Sequence, residues 1–201
     1  MPSWLTVSLQ TDRHIGTPNL KPNPLIAFNS SREDQYPLSC DLKWKTMLTS
    51  LTRLNTLSHT LHRPLSASEL YQSSIVSSSS SDTTPVNAVT LIHPLLPWLI
   101  GPIRSTEQAA GVTIYDLLYT LIRELNRPVT EEEFCSHWVT GDEREAVRAG
   151  AMGRGDTVIR RIDFLMGETV FRGLELDYES YSVSKGSGPG VLVWKFFTTR
   201  P

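Results

Sequence analysis

The clearest apolar pattern in the chain lies between Thr113 and Asn126. Six aliphatic residues recur there at the three- and four-residue spacing of a helix that buries one face: Ile114, Leu117, Leu118, Leu121, Ile122 and Leu125. Thr113 is placed to cap this helix, and Asp116 stands three residues later, as in a capping box. Because Pro128 disfavours helix at the residue before it, the helix should end close to Asn126. The pattern therefore predicts a helix that packs its apolar face against a core.

Two shorter helices are predicted directly after it. Thr130 and Glu133 form a capping box, and glutamates fill the first turn, where the helix dipole favours negative charge. We expect this second helix to bury Phe134 and Trp138. A third helix is predicted over residues 142–152, because glycines follow at its end.

Short apolar runs predict strands on both sides of the helices. Residues 89–92 and 98–103 form the first two runs. Residues 158–165 and 169–176 have the spacing of a hairpin, and residues 191–197 form a last strand. This order of elements predicts an α+β fold, with a small, mainly antiparallel sheet and about three helices on one face. We expect its core to include Leu117, Leu121, Trp98, Phe164 and Trp194.

The N-terminal part of the chain has weaker patterns. Leucines spaced through residues 47–62 indicate one helix face, although the serines and threonines between them are poor helix formers. Residues 77–81 are all serine, and such a segment cannot bury enough apolar surface to offset the entropy of ordering it. The predicted organisation is an irregular N-terminal segment packed on the domain (1–72), a Ser-rich disordered loop (73–86) and an α+β domain (87–201).

Charge and hydropathy argue against two classes of partner. The formal net charge of −2 over 201 residues lacks the basic excess of a general nucleic-acid binder. No apolar run is long enough to span a membrane, and the first residues alternate like a strand instead of forming a signal peptide. We therefore expect an intracellular, cytoplasmic protein without a membrane partner. Its two cysteines, Cys40 and Cys135, are expected to be free thiols, with Cys135 buried in its helix.

Three ionisable residues are candidates for catalysis if the protein is an enzyme: His93, Asp116 and Arg161. His93 follows a strand and could act as a general base, but no partner stands near it in the sequence. The sequence contains no recurring zinc spacing, no phosphate-binding loop and no serine-hydrolase motif. We predict neither a metal nor a cofactor, and the catalytic residues stay unknown.

Six arginines between residues 144 and 172 could bind an anion or a nucleic acid. Six acidic residues between positions 142 and 168 match them in number. A mixed-charge, solvated surface is therefore the favoured interpretation.

The segment over residues 93–98 is the best candidate for a docking edge. Pro94 and Pro97 each remove a backbone donor, so this segment should not pair as a central strand. A rigid segment that ends in an aromatic residue loses little entropy on binding, so we predict that His93, Pro94, Pro97 and Trp98 bind a partner. The alternative is that Trp98 only fills the core beneath the Thr113 helix.

Five motifs follow one another through the second half of the chain. They are LIHPLLPW at 91–98, VTIYDLL at 112–118, LNRPVT at 125–130, RIDFLMG at 161–167 and FRGL at 171–174. In this order they resemble an uncharacterised domain family that is abundant in mushroom-forming fungi. The resemblance covers about residues 89–197, and it implies a shared fold but no activity, because that family has no established chemistry.

The sequence thus favours a non-catalytic protein-interaction or accessory domain with an unknown protein partner. Two alternatives stay open. One is a small accessory enzyme of fungal secondary metabolism, and the other is a regulator that contacts nucleic acid weakly through the arginine-rich stretch.

Overall fold

The computed structural model describes residues 20–28, 38–43, 52–55, 60–77, 85–106, 111–177 and 192–201. Its strands are β1 (Leu20–Pro22), β2 (Leu38–Asp41), β3 (Thr52–Asn55), β4 (Thr60–Pro64), β5 (Ile75–Ser77), β6 (Ala88–Ile92), β7 (Ile100–Arg104), β8 (Val170–Leu176) and β9 (Leu192–Thr199). Its helices are α1 (Ala67–Leu70), α2 (Ile114–Leu125), α3 (Glu131–Phe134), α4 (Gly141–Gly153) and a 3₁₀ helix (Arg161–Leu165).

Seven of these strands form one sheet in the order β4-β3-β2-β8-β9-β6-β7. Strand β2 joins its two parts, because Ser39 pairs with β3 while Cys40 pairs with Phe171 of β8. The neighbours β6 and β9 are parallel, and the other described pairs in this sheet are antiparallel. Strand β7 therefore forms one edge of the sheet, and α2 packs beside it.

The α+β class is confirmed, but the sheet is larger than predicted and is mixed. Among the described residues there are four α-helices, two of which have only four residues. A second sheet pairs β1 with β5.

The predicted hairpin between residues 158–165 and 169–176 is wrong, because the first run forms the 3₁₀ helix. The carboxylate of Asp163 accepts a hydrogen bond from the Arg160 N–H at 2.7 Å, which closes the first turn of that helix. All five residues of the helix are buried, so they do not alternate as in a half-exposed strand. The second run is β8, whose partners are β2 and β9.

The helix indicated over residues 47–62 is also wrong within the described part of that range. Residues 52–55 and 60–64 form the antiparallel strands β3 and β4 instead. Threonine begins both strands, and threonine is a better strand former than helix former.

The core confirms most of the predicted interior. Leu117 and Leu121 of α2 are fully buried, as is Trp194 of β9, and Phe164 is buried in a smaller apolar cluster. The predicted cap of α2 is present, since Thr113 and Asp116 form the capping box.

Two tryptophans are more exposed than predicted. Trp98 is half-buried, because its ring packs against the edge of the smaller cluster, 4.7 Å from the ring centre of Phe164. Trp138 is 51% exposed, because α3 ends at Phe134 and the helical spacing that would align the two side chains is lost.

Part of the predicted organisation falls on residues outside the described ranges. Residues 78–84, which include most of the serine run, are among them, whereas Ile75 is buried in β5. The boundaries at 72 and 87 stay predictions. In the described residues, no helix is both long and apolar enough to cross a membrane.

Candidate functional site

A polar groove lies between the edge strand β7 and helix α2, and we call it the β7–α2 groove. Its volume is about 280 Å³. Its lining residues come from three parts of the fold: Leu99, Gly101 and Pro102 from β7 and the residue before it, Thr120, Arg123, Glu124 and Arg127 from the C-terminal half of α2 and the turn after it, and Arg161 from the 3₁₀ helix.

The local sequence explains this arrangement. The apolar stripe of α2 faces the core, so the side chains at 120, 123 and 124 fall on the opposite, polar face. Backbone hydrogen bonds tie the 3₁₀ helix to the end of α2, because the Arg161 N–H donates to the Arg127 carbonyl at 3.1 Å. The Arg160 guanidinium donates to the Asn126 carbonyl at 2.8 Å, which holds the same junction.

One carboxylate in the groove is shared by three guanidiniums. Glu124 lies 3.2 Å from Arg123, 3.3 Å from Arg161 and 3.9 Å from Arg127. The side chains of Arg123 and Arg127 are 61% and 52% exposed, so both can reach a ligand from solution. A second carboxylate, Glu133, pairs with Arg161. Three positive charges therefore face two negative ones, and the two exposed arginines share a single carboxylate.

Arg161 forms the floor of the groove. It is only 8% exposed, and its guanidinium lies 5.0 Å from the centre of the Trp98 ring. Its Nε atom is buried and has no hydrogen-bond partner within the described part of the chain. Burial alone would raise the pKa of Glu133, but the Thr130 N–H and Arg161 stabilise the carboxylate and lower that pKa overall.

The predicted docking edge runs from His93 into this groove. Pro94 and Pro97 are exposed, Leu95 is 38% exposed and Trp98 covers Arg161. Leu99 follows directly, lines the groove and is 64% exposed.

His93 itself is buried at the start of this edge. Its Nδ1 atom accepts a hydrogen bond from the Leu95 N–H at 3.2 Å, and its Nε2 atom lies 2.9 Å from the Thr198 hydroxyl. Burial, followed by the nearby charge of Lys195, lowers the pKa of His93 from 6.5 to about 4. These contacts are those of a neutral ring that holds the segment over residues 93–98 in place.

The three catalytic candidates do not come together. Asp116 belongs to the first turn of α2, where it accepts hydrogen bonds from the hydroxyls of Thr106 and Thr113. Arg161 contacts Glu124, eight residues further along, which corresponds to roughly 12 Å of helix. His93 contacts β9 instead. No hydrogen bond or ion pair joins any two of these three described residues.

The arginine-rich stretch is engaged mainly within the fold. Arg154 donates to both oxygens of Asp163, at 2.9 and 2.6 Å, and Arg160 pairs with Asp156 at 3.2 Å. A hydrogen bond from the Val158 N–H, together with the two arginines, lowers the pKa of Asp156 to about 2. Arg144 donates to the Phe134 carbonyl, which satisfies the end of α3.

No group of three or more metal-ligating side chains occurs in the described part of the chain. Both cysteines there are free thiols, as predicted. Cys135 is exposed, so its predicted burial is wrong, because the residue follows the last turn of the short α3.

Sequence reasoning missed Arg123, Glu124 and Arg127 as groove residues. Arg123 and Glu124 lie on the polar face of α2 and Arg127 follows the helix, but charges in such positions are typical of any solvated surface. Arg161 and β7 reach this face only in the folded structure, and no local sequence pattern predicts that contact.

A family model described as "Family of unknown function (DUF6699)" matches residues 42–187, a region that includes every residue lining the groove. No curated protein matches the chain, and no solved structure matches it.

Proposed function

The chain belongs to the DUF6699 family of unknown function, and we propose that it is a non-catalytic domain that binds an acidic segment of a protein partner in the β7–α2 groove. The shared carboxylate carries this proposal. Among the described residues, Glu124 is the one carboxylate that pairs with the two exposed arginines, and it also pairs with Arg161. An incoming carboxylate would relieve this imbalance, and Arg binds carboxylates in a planar, two-point geometry.

An exposed apolar residue in the groove lining supports a peptide as the ligand in preference to a small anion. Leu99 is 64% exposed and lines the groove together with Pro102. An acidic segment with apolar side chains could contact Leu99 as well as the arginines. The contacts of His93 and Trp98 hold the adjoining edge in place, which lowers the entropy cost of binding there.

The candidate catalytic residues support this proposal over the enzyme alternative. Asp116 is committed to the cap of α2, and both ring nitrogens of His93 have partners within the fold. Efficient proton transfer at neutral pH needs a pKa closer to the working pH than about 4.

A fluorescence anisotropy titration tests the proposed function. The probe is a short labelled peptide that carries several glutamates and two leucines, and its control replaces each glutamate with glutamine. We expect saturable binding of the acidic peptide that weakens with salt, and at least tenfold weaker binding of the control peptide.

Two variants locate the binding site. Arg127→Ala removes an exposed guanidinium from the groove and should weaken binding about fivefold, as expected for one partly desolvated charge pair. Arg200→Ala removes the same charge at an exposed position near the C-terminus and should leave binding unchanged. Equal changes in peptide affinity for Arg127→Ala and Arg200→Ala would contradict the proposal. Stronger binding of a single-stranded oligonucleotide than of the acidic peptide would favour the nucleic-acid alternative instead.

The expected compartment and the family resemblance indicate where to search for the natural partner. We expect it in the cytoplasm, and the family resemblance directs the search to mushroom-forming fungi. Affinity purification with the native chain and with Arg127→Ala in parallel would identify proteins that depend on the groove.

A further inference from the structure

A ladder of stacked tyrosines continues from the groove along α2. The ring centres of Tyr71 and Tyr115 are 5.6 Å apart, with planes at 26°. Those of Tyr115 and Tyr119 are 5.7 Å apart, with planes at 7°. The Arg123 guanidinium lies 6.0 Å from the Tyr119 ring centre, so the ladder ends at a groove residue. We call these three residues the tyrosine ladder.

The ladder is held in place by the backbone. Tyr71 follows α1, and the next residues are bound to the start of α2: the Ile114 N–H donates to the Gln72 carbonyl at 3.0 Å, and the Ser74 N–H donates to the Val112 carbonyl at 2.8 Å. The position of Tyr71 beside Tyr115 is therefore fixed by the fold before any ligand arrives.

The ladder is also accessible. Tyr71 is 55% exposed and Tyr119 is 46% exposed, while Tyr115 lies half-buried between them. Each of the three rings carries a hydroxyl that can donate a hydrogen bond. Exposed aromatic surface with phenol donors is suited to a ligand that presents both apolar rings and unpaired carbonyls.

A proline-containing segment in the polyproline II conformation has this chemistry. Its backbone forms no internal hydrogen bonds, so its carbonyls can accept from phenol hydroxyls, and its rings pack on aromatic side chains. The conformation is already extended, so little entropy is lost when it binds. We infer that the partner's acidic segment continues into a proline-rich stretch, with its acidic residues at Arg123 and Arg127 and its prolines on the tyrosine ladder.

This inference rests on the proposed function, and a set of four peptides separates the two. The peptides combine an acidic or a glutamine head with a proline-rich tail or a glycine–serine tail of equal length. We expect the acidic head with the proline-rich tail to bind about fivefold more tightly than the acidic head with the glycine–serine tail. Equal binding of these two would overturn the inference and leave the proposed function standing. Failure of both to bind would overturn both.

Variants of the ladder show where the tail binds. Tyr119→Ala should abolish the advantage of the proline-rich tail while keeping the preference for the acidic head. Tyr119→Phe should keep part of that advantage, because the ring remains and only the hydroxyl is lost. Met152→Ala, which removes a 74% exposed apolar side chain on α4, is the control and should change neither effect. A proline-tail advantage that survives Tyr119→Ala would contradict the assignment to the ladder. A leucine-rich tail that binds as tightly as the proline-rich one would contradict the choice of ligand.

Discussion

Acidification should destabilise the fold through His93, and the structure gives both the direction and the size of the effect. Burial and Lys195 lower the pKa of this histidine to about 4 from 6.5. Because Nδ1 accepts the Leu95 N–H, the neutral ring carries its proton on Nε2 and donates it to Thr198. A proton added at Nδ1 would point at the Leu95 N–H, and Nδ1 could then no longer accept the hydrogen bond from that group.

Between these two pKa values the unfolded chain binds a proton at His93 and the native chain does not. The stability contributed by the neutral ring is therefore complete above about pH 6.5 and is lost as the pH falls towards about 4. The whole shift corresponds to about 3 kcal/mol, and the part that falls between pH 7 and pH 5 is about 2 kcal/mol.

Urea unfolding at a series of pH values, followed by tryptophan fluorescence, measures this loss. His93→Asn removes the titrating ring, so its free energy of unfolding should depend less on pH than that of the native chain, by about 2 kcal/mol between pH 7 and pH 5. His137→Asn changes an exposed histidine and should keep the native pH dependence. If His93→Asn and the native chain lose the same stability over this range, the proposed state of His93 is wrong.

Two substitutions test the packing of the core and of the docking edge. Leu121→Ala removes a fully buried side chain of α2 and should lower the free energy of unfolding by about 2–5 kcal/mol in urea titrations. A change near zero would mean that this face of α2 is not packed against the core. Trp98→Ala removes the contacts with Phe164 and Arg161, and it should lower both the melting temperature and the affinity for the acidic peptide. If neither the melting temperature nor the peptide affinity changes, the role of Trp98 in the docking edge and in the floor of the groove is contradicted.

Helix α2 could be predicted from the sequence because its signals are local. Its apolar residues recur at helical spacing, and Thr113 and Asp116 form the cap from positions three residues apart. The burial of Leu117 and Leu121 follows from the same pattern.

The sequence pattern predicts a strand where the 3₁₀ helix lies, because a short apolar run that is buried on all sides shows neither the helical nor the strand periodicity. Residues 158–165 fit a strand as well as a helix until the Asp163 side chain is seen to cap the first turn. Strands β3 and β4 were missed for a similar reason, since leucines spaced through a polar segment also fit a helix face.

The groove could not be predicted because its parts are distant in sequence. Arg161 pairs with Glu124, which lies 37 positions earlier in the sequence, and Leu99, the residue before β7, also lines the groove. The sequence indicates Trp98 as a candidate binding residue, but only the fold shows that its ring lies over the buried Arg161.

The affinity of Glu124→Gln for the acidic peptide tests the central claim most directly. If Glu124 occupies the arginines that the ligand needs, removing its charge should raise the affinity about fivefold, the equivalent of about 1 kcal/mol for a charge pair at 4 Å in water. Glu132→Gln, which removes an exposed charge from α3, should leave the affinity unchanged. Unchanged or weaker binding by a folded Glu124→Gln variant would contradict the assignment of the β7–α2 groove as a site for acidic segments.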